Sequence, residues 1–524
     1  MSKNAKKRGM QMFKKLFVSS VSACFELENG NPYYSPEKYK VTVNGVEEEK
    51  ERDTNVFSIF NLTPNTEYTV STSLDGHKIT FKTDSETGVL NIKTMGAVGD
   101  GVSDDTYFLQ HAIYNCPKGG RIVIPEGTYL IRPIKLLSNL TIELKKGATL
   151  LGDPVEDHYP ILPARVYMDG KEEIIASWEG DPYPSFRSLI SAYRQENIKI
   201  VGEGFINGNA DNSTWWATPK GRKVARPRLV FINKCENIVF HGINGGNSAS
   251  WNLHPFFSKN LKFYDISVEC PADAPNTDGL NPESCENVEI LGCRFSVGDD
   301  CVAIKSGKMY MGKTYKTPSS NLTIRNDFFC DGHGAIVLGS EMSGGIKNLS
   351  IGQCIFNNTE RGLRIKSRRG RGKDGIIDGI CFDNIKMIGV KTPLVINMYY
   401  FCDPDGMSDF VWSHDKNIPV DEGTPYLGKF TFRDIDCVDC ECMPAWFDGL
   451  SELPIKEIVL ENVHFTFKSD AKPFFPAMAL KVTEHCKEGL YADNIERLVL
   501  KNVTIDGIEG EKLILKNIGT LVKE

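Results

Sequence analysis

The sequence predicts an all-β protein, in which a small β-sandwich is followed by a right-handed parallel β-helix. An Asn-apolar-x-apolar unit recurs along most of the chain. Each unit alternates apolar and polar residues with the period of a β-strand, and helical periodicity is nearly absent after residue 115. Strands this short cannot bury an apolar face alone, so they must stack as successive turns of a solenoid.

The recurring units define the rungs of the predicted β-helix. Seven of them begin at Asn139, Asn197, Asn237, Asn260, Asn287, Asn321 and Asn348. Variants at Gly379, Lys429 and Glu457 extend the series to roughly ten rungs. We expect the asparagine side chains to form a ladder at the turns. The long gaps at 139–197 and 398–429 must hold loops that project from a rung.

The composition is that of a globular protein and argues against several classes of partner. Of the 524 residues, 41% are hydrophobic and 25% are charged, which excludes wholesale disorder. No apolar run reaches the ~18 residues that a membrane span needs, so we expect no membrane partner. The 61 basic and 68 acidic side chains give a net charge of −7, which disfavours nucleic acid as a partner. The oligomeric state is left open.

The N-terminal segment has two interpretations. Basic residues precede the short apolar stretch 16–24, which resembles a weak export signal or a lipoprotein cleavage site ending at Cys24. The strand-like alternation continues to Leu27, which favours a first β-strand. The 15 cysteines are scattered and do not resemble a disulfide framework. We therefore expect a cytoplasmic protein, with export or a lipid anchor as the alternative.

No metal or other cofactor is expected. Cys437, Cys440 and Cys442 form a C-x2-C-x-C cluster, which is part of a zinc-binding pattern. There is no second CxxC, and the preceding segment alternates like a strand, so buried free thiols are the expectation. The sequence also shows no carboxylate-rich loop of the calcium-binding type.

The region before the β-helix is predicted to be a small all-β unit. Short alternating segments occur at 38–43, 56–60 and 68–72, and Asn44-Gly45 predicts a hairpin turn. The segment 62–70, with Tyr68 near its end, resembles the fibronectin type III pattern, in which a tyrosine hydroxyl fixes the chain at a strand corner. We predict an N-terminal tail at 1–14, a fibronectin type III-like domain at 15–86 and the β-helix at 87–524.

Reactive side chains recur at one position on successive rungs. Four segments end in a serine, at Ser284, Ser306, Ser340 and Ser367, and alignment on these serines gives the relative register of the rungs. Asp278 and Asp300 then share one column, and Asp299 and His333 share the next. Neighbouring rungs of a parallel sheet lie ~4.8 Å apart, so three carboxylates and an imidazole converge.

The clustered carboxylates indicate glycoside hydrolysis. Like charges at this spacing should raise the pKa of at least one carboxyl, so that it keeps its proton near neutrality. One protonated and one ionised carboxyl is what glycoside hydrolysis requires. An acid at Asp299, with Asp278 and Asp300 holding a water, suits the ~6.5–9.5 Å separation of inverting enzymes. Ordinary turn capping by aspartates is the structural alternative.

Two cations on the fourth rung indicate an anionic substrate. Arg364 and Lys366 lie two residues apart on one strand and therefore face the same way. The basic run 366–373 that follows is either a solvated loop or an extension of this cationic track. Lys305 shares a column with Lys366 and either binds a terminal uronate or pairs with Glu283.

Four motifs together carry a resemblance to a known family. They are Asn276-Thr-Asp278, Gly298-Asp-Asp300, Gly332-His-Gly334 and Arg364-Ile-Lys366. In this order and spacing they resemble the signature of the polygalacturonases, glycoside hydrolase family 28. The resemblance implies a parallel β-helix that hydrolyses the α-1,4 bonds of galacturonan with inversion, and it implies no metal. Polygalacturonate or an oligogalacturonide is then the expected partner.

The same resemblance implies roles for individual residues. Asp299 is the general acid, Asp278 with Asp300 activates the water, and His333 tunes the acid or holds substrate. The implied substrate-binding residues are Arg364, Lys366 and a tyrosine after the cationic motif, which is Tyr399 or Tyr400. Asn276 of the first motif and Lys305, by its column, are further candidates.

Exo action is the expected mode. The long loops 153–191 and 401–428 are candidates to close one end of the groove, and the fibronectin-like domain resembles that of bacterial exo-acting relatives. Three alternatives remain open: a hydrolase of rhamnogalacturonan or xylogalacturonan, a calcium-dependent pectate lyase, and a non-catalytic carbohydrate binder.

Overall fold

A computed structural model describes residues 13–415 and 417–524. Most of the β-structure after residue 88 belongs to one large sheet in which strands pair in parallel with the strand one turn earlier. These strands form three stacks along the solenoid, with an apolar core between them. The predicted parallel β-helix is therefore confirmed. The predicted cytoplasmic location stays a prediction, since residues 1–12 lie outside the described part of the chain.

The first stack contains the strands that follow the asparagine turns. Its strands are Val89–Asn91, Gly120–Ile124, Leu140–Leu144, Glu196–Gly202, Glu236–His241, Lys259–Tyr264, Glu286–Leu291, Ser319–Arg325, Ile346–Gly352, Ile376–Ile388, Lys429–Cys440, Ile455–Phe467 and Leu490–Asp506. From Ile376 onwards the strands are long enough to continue around the corner into the second stack.

The second stack follows the first on each rung. Its separate strands are Asp100–Asp104, Gly127–Ile131, Ala148–Gly152, Phe205–Asn207, Asn244–Gly246, Ser267–Glu269, Arg294–Ser296, Phe328–Cys330 and Ile355–Asn357.

The third stack carries the predicted reactive column. Its strands are Ile134–Lys135, Ile190–Tyr193, Val230–Asn233, Leu253–Phe256, Val302–Ile304, Ile336–Gly339, Arg361–Lys366, Thr392–Asn397 and Ala445–Asp448. On the rung between 256 and 302, Leu280 and Glu283 pair through isolated bridges. Leu513–Lys523 ends the solenoid by pairing along Leu490–Asp506.

The remaining elements lie between rungs. The helices are Thr106–Asn115, Met309–Tyr315 and Asp409–Trp412, with 3-10 turns at Glu156–His158 and Ala210–Asn212. The first loop insertion, at 153–191, contains three short antiparallel pairs. They are Ile161–Leu162 with Ser185–Phe186, Arg165–Met168 with Lys171–Ile174 and Ser177–Trp178 with Asp181–Pro182. The second loop insertion, at 401–428, ends in Tyr426–Leu427, which pairs with Ile376 and Ile377.

The predicted asparagine ladder is present at the entry to the first stack. Every asparagine from Asn139 to Asn348 in the repeat has a positive φ, between 55° and 62°. From Asn197 onwards, each side-chain amide donates to the side-chain oxygen of the asparagine one rung earlier, at 3.0–3.3 Å. Asparagine tolerates this left-handed conformation better than other residues with a side chain, so one residue type serves both the turn and the stacking.

The register of the third stack agrees with the alignment on serines. Glu283 pairs with Lys305, and Ile304 pairs with Leu338 one rung later. Gly339 in turn pairs with Lys366. Counting back along these strands places Asp278 beside Asp300 and Asp299 beside His333, as the spacing predicted.

The N-terminal unit is a two-sheet antiparallel sandwich. One sheet contains Phe13–Val18, Ala23–Leu27 and Val56–Ile59, and the other contains Tyr34–Val43, Val46–Thr54, Glu67–Thr72 and Lys78–Lys82. The Tyr68 hydroxyl accepts a hydrogen bond from the backbone N–H of Thr63 at 2.9 Å, which is the corner that the fibronectin-like pattern predicted. The predicted boundary at 86/87 falls between Lys82 and the first solenoid strand.

The first predicted strand is two strands. The chain reverses at Ser19–Ser22, where the Ser19 and Ser22 side chains and backbones bond to one another, and Val18 pairs with Ala23. Strand structure also begins at Phe13, inside the predicted tail. The alternation is continuous because both arms of a hairpin keep the same period, while the three serines at the turn, Ser19, Ser20 and Ser22, resemble exposed strand positions in the sequence. Among the described residues, no helix is long and apolar enough to cross a membrane.

Replacing a ladder asparagine separates its two contributions. Asn260→Ala should lower the unfolding free energy by about 2 kcal/mol, because it loses both the side-chain bonds and a residue suited to φ 56°. Asn260→Gly keeps the favourable backbone and should cost about 1 kcal/mol. Thermal or urea midpoints of the two variants measure the difference, and equal losses would show that the backbone conformation contributes nothing.

Candidate active site

A cleft of about 960 Å³ opens along the third stack. Nine of the ten predicted site residues line it, namely Asn276, Asp278, Asp299, Asp300, Lys305, His333, Arg364, Lys366 and Tyr400. They come from five segments separated in sequence by up to 124 residues, and the parallel register brings them together. What each of them does remains a prediction at this point.

Asp300 is a buried carboxylate held between two cations. Its Oδ1 accepts a hydrogen bond from Arg364 Nη1 at 3.1 Å, and its Oδ2 accepts one from Lys366 Nζ at 2.7 Å. Burial alone would raise the pKa of Asp300, but Lys366 and Arg364 hold it well below its usual range. Asp300 is therefore ionised at neutral pH.

Asp278 lies one rung earlier and has a weaker counter-ion. The nearest cation is Lys305, whose Nζ is 3.8 Å from Asp278 Oδ2. Burial, followed by the negative charge of Asp299, raises the pKa of Asp278 well above its usual value. This is the raised carboxyl pKa that the clustering predicted. The site thus combines one carboxylate with a neighbouring carboxyl that keeps its proton.

Asp299 is the carboxyl of the three that faces the open cleft. Its side chain is 22% exposed, whereas those of Asp278 and Asp300 are 4% and 2% exposed. His333 Nδ1 lies 3.3 Å from Asp299 Oδ1, and this hydrogen bond raises the pKa of His333. A ligand in the cleft can therefore reach Asp299 and His333 before it reaches the other two acids.

The Lys305 side chain does not form an ion pair with Glu283, although the two residues are backbone neighbours on adjacent rungs. Its Nζ lies 3.4 Å from Glu341 Oε2 and 4.7 Å above the ring of Trp251. Glu283 instead contacts His254 Nε2 at 2.9 Å. Burial, and then the charge of Glu341, raise the pKa of Glu283 to about 8, so Glu283 is neutral near pH 7 and needs no cation. Lys305 stays at the cleft.

The structure distinguishes the two candidate tyrosines. Tyr399 is buried, donates its hydroxyl to the Gly449 carbonyl at 3.0 Å and stacks on His414, so it does not reach the cleft. Tyr400 lines the cleft, and Lys366 Nζ lies 5.9 Å from its ring centre. Both follow the strand Thr392–Asn397, and Tyr400 makes an isolated bridge to Ala479 of the cleft wall, so only Tyr400 faces the cleft.

Asn276 is fixed at the cleft wall by its backbone and a cation. It adopts a left-handed φ of 56°, and its Oδ1 accepts a hydrogen bond from Arg226 Nη2 at 2.6 Å. The Nδ2 group of the Asn276 amide remains able to donate a hydrogen bond to a ligand.

Both interpretations of the basic run 366–373 are wrong for its arginines. Arg368, Arg369 and Arg371 are buried, and each pairs with an acid from a distant loop. Their partners are Asp405, Glu452 and Asp403 respectively. The sequence could not show this, because the three acids lie 32 to 83 residues further along the chain. The run anchors loops around the cleft and does not extend a free cationic track.

Several cleft residues escaped the sequence analysis. Glu341 follows the serine column directly; burial opposes its charge, but Lys305, Lys366 and Lys308 lower its pKa to about 2. The segment 474–482 forms a further wall, although no motif marks it. From the two predicted wall loops, Glu179 and residues 401–404 line the cleft, while Trp412, His414 and Tyr426 do not.

The cysteine cluster lies in the protein interior. Cys437 and Cys440 belong to the main core, and Cys442 Sγ contacts the Phe474 carbonyl. Within residues 13–415 and 417–524, no three His, Cys, Asp or Glu side chains are grouped so that they could hold a metal ion.

Comparison with known proteins places the chain in a family. A model described as "Glycosyl hydrolases family 28" matches residues 133–409, which is more than half of the chain. The chain belongs to glycosyl hydrolase family 28. The predicted resemblance is thus confirmed, and the protein is a glycosidase that degrades pectin.

Relatives of this family 28 enzyme include a probable polygalacturonase of Vitis vinifera. The two are 31% identical over 387 residues, which cover 72% of this chain and 74% of the relative. An exo-poly-alpha-D-galacturonosidase of Dickeya chrysanthemi is 28% identical over 65% of this chain and 62% of its own length.

Solved structures show the same fold. A family 28 exopolygalacturonase of Yersinia enterocolitica superposes with a TM-score of 0.71 at 20% identity and covers 97% of this chain and 98% of its own. A hyperthermoactive exopolygalacturonase of Thermotoga maritima superposes with a TM-score of 0.64 at 25% identity and covers 80% and 91%.

The buried pair of Arg369 and Glu452 should be essential for the family 28 enzyme's stability. Both side chains are at most 2% exposed, and they form two hydrogen bonds of 2.6 and 2.7 Å. Arg369→Met leaves Glu452 buried without its cation and should cost about 3–5 kcal/mol. Adding Glu452→Met should restore most of this loss, as measured by urea unfolding. A double variant as unstable as Arg369→Met would show that the loss comes from packing rather than from an unpaired charge.

Proposed function

We propose that the enzyme hydrolyses the α-1,4-galacturonosyl bonds of polygalacturonate and oligogalacturonides with inversion, starting from a chain end. The observation that carries this proposal is that the three acids differ in protonation and in exposure to the cleft. Asp300 is held ionised by two cations, Asp278 keeps a proton, and Asp299 faces the cleft. The names of the relatives, which are polygalacturonases, support the substrate.

Asp299 acts as the general acid. It is the exposed carboxyl, so the glycosidic oxygen can approach it within hydrogen-bond distance. The proton that Asp299 delivers to this oxygen comes from the neighbouring Asp278, whose pKa is raised by burial and then by the charge of Asp299. His333 orients the carboxyl through its hydrogen bond to Oδ1.

Asp300, together with Asp278, activates the attacking water. Asp300 remains ionised because Arg364 and Lys366 neutralise it, so it can take up the proton that the water releases. Once Asp278 has passed its proton to Asp299, its carboxylate accepts the second hydrogen of that water. The water attacks the anomeric carbon on the face opposite the leaving oxygen, which inverts the configuration.

Arg364 and Lys366 also bind the substrate. Each has N–H groups left after its bond to Asp300, since an ammonium has three donors and a guanidinium five. A uronate carboxylate in the cleft can share these cations with Asp300 and bring its sugar ring beside Tyr400. The same two cations therefore keep the base ionised and select an anionic sugar.

Product analysis tests this proposal directly. Reducing-end-labelled oligogalacturonides should yield saturated products, with or without chelator, and proton NMR should show the inverted anomer first. Products that absorb in the ultraviolet, and that no longer form when a chelator is present, would instead indicate a lyase. Cleavage of rhamnogalacturonan or xylogalacturonan, but not of galacturonan, would assign another pectic backbone.

Removal of the general acid should abolish turnover with little loss of binding. Asp299→Asn should lower kcat on oligogalacturonides by at least ~10³-fold, because the amide cannot supply the proton. Isothermal titration with a trimer should show affinity within about threefold of the wild type, since Asp299 contributes little to ground-state binding. Substantial activity in Asp299→Asn would contradict the role assigned to Asp299. A wild type that binds galacturonides without ever cleaving them would instead be a carbohydrate binder.

The pH profile should depend on the cation beside Asp300. Activity needs ionised Asp300, whose lowered pKa places the acidic limb of kcat at low pH. Lys366→Met removes one of the two cations, raises the pKa of Asp300 and should move the acidic limb to higher pH. The alkaline limb, which reports loss of the proton held by Asp278, should move less. An unshifted acidic limb in kcat would exclude Asp300 as its origin.

A further inference from the structure

Lys220 lines the cleft, is exposed, and forms no ion pair or hydrogen bond with any residue in 13–415 or 417–524. The other cations of the cleft are engaged. Lys481 Nζ lies 3.5 Å from the ring centre of Trp412. Five cations each lie within 4 Å of a carboxylate, namely Lys305, Lys308, Arg361, Arg364 and Lys366. The ammonium group of Lys220 is therefore available to an anionic ligand.

Lys220 lies in the middle of a turn that Arg222 closes. Arg222 Nε donates to the Thr218 carbonyl at 2.9 Å, and Arg222 Nη2 donates to the Thr218 hydroxyl at 3.1 Å. The same guanidinium donates to both carboxylate oxygens of Glu156, at 2.8 and 3.2 Å. Its carbon lies 5.3 Å from the ring of the buried Trp215. Because these contacts fix the turn, a ligand that binds Lys220 has to order only its side chain.

The turn is attached to the cleft wall that contains Asn276. Arg226, four residues after the turn, is buried and donates to Asn276 Oδ1 at 2.6 Å. Asn276 belongs to the rung that precedes the rung of Asp300, whereas Arg364 and Lys366 lie two rungs after it. The wall at Asn276 and this pair of cations therefore lie on opposite sides of the Asp300 rung.

We propose that Lys220 binds the carboxylate of the galacturonate residue that lies across the scissile bond from the one held by Arg364 and Lys366. This inference rests on the galacturonan hydrolysis proposed above. Each residue of that polymer carries a carboxylate, so the two sugars that flank the bond need two cationic contacts. The pair of cations beside Asp300 supplies one contact, and Lys220 supplies the other.

Lys220 also makes this part of the cleft selective for a charged sugar. A uronate that approaches the acids of the cleft is repelled by their charges. The unpaired ammonium of Lys220 offsets this repulsion through charge-assisted hydrogen bonds to the uronate. A neutral sugar at the same place gains nothing from that ammonium. Lys220 therefore favours galacturonan over a backbone in which galacturonate alternates with neutral rhamnose.

Removal of the charge at Lys220 tests the inference. On a galacturonate trimer at low salt, Lys220→Met should raise KM about 3–10-fold and leave kcat within about twofold, because the contact exists in the ground state and in the transition state. Lys220→Arg keeps the charge, and its KM should stay within about twofold of the wild type. The effect of Lys220→Met should shrink at high salt, where the attraction is screened.

Singly methyl-esterified digalacturonates identify the carboxylate that Lys220 contacts. Their affinities are measured by isothermal titration with Asp299→Asn and with the double variant that also carries Lys220→Met. The loss of affinity caused by Lys220→Met should vanish when the ester is on one of the two residues and persist when it is on the other. Equal losses with both monoesters overturn the assignment.

Lys223→Met is the matched control. Lys223 is an exposed lysine three residues further along the same connection, and it does not line the cleft. Its KM and salt dependence should equal those of the wild type. A wild-type KM in Lys220→Met at low salt overturns the inference while hydrolysis itself remains. A wild type that releases no galacturonides contradicts the hydrolase proposal, and the inference with it.

Discussion

The strand register of the third stack is the constraint on which this active site depends. Side chains alternate between the two faces of a strand, so a slip of one residue would turn Asp300 away and bring its neighbour into its place. The asparagine ladder opposes such a slip, because each amide bonds to the same residue one rung earlier. The ladder thereby fixes the turn at the start of each rung, ahead of the third-stack strand of that rung. The spacing between neighbouring strands then sets the distance between site residues that are far apart in sequence.

The charges at the cleft balance one another only as a set. Three buried or half-buried acids side by side would destabilise the fold, and the cations from the fourth rung compensate for one of them. The compensation is uneven, since Asp300 has two close cations and Asp278 has one at 3.8 Å. This unevenness separates the two pKa values, so the structure that relieves repulsion also gives the two acids the different proton affinities that the proposed base and proton store require.

Local periodicity made much of this structure predictable. The serine spacing alone gave the correct register, and with it the positions of Asp278, Asp299, Asp300 and His333, because a solenoid repeats the same short-range pattern at each rung. The failures concern contacts that no local pattern encodes. The acids that bury Arg368, Arg369 and Arg371 lie on distant loops, and the wall at 474–482 has no repeat. The choice of Tyr400 over Tyr399 required knowledge of the path that the chain takes after the strand Thr392–Asn397.

The sandwich contributes to the solenoid rather than to the cleft. Its residues Phe17, Val21, Cys24 and Val56 pack on an outward apolar patch of the first stack, formed by Val201, Val239, Tyr264 and Leu291. Glu26 anchors the contact through two hydrogen bonds from Arg325. Without this cover the patch would be exposed to water, and two of its residues, Tyr264 and Leu291, lie on the rungs that carry Asp278 and Asp300. None of residues 13–178 lines the cleft, so we expect the sandwich to influence the site through the stability of the rungs that it covers.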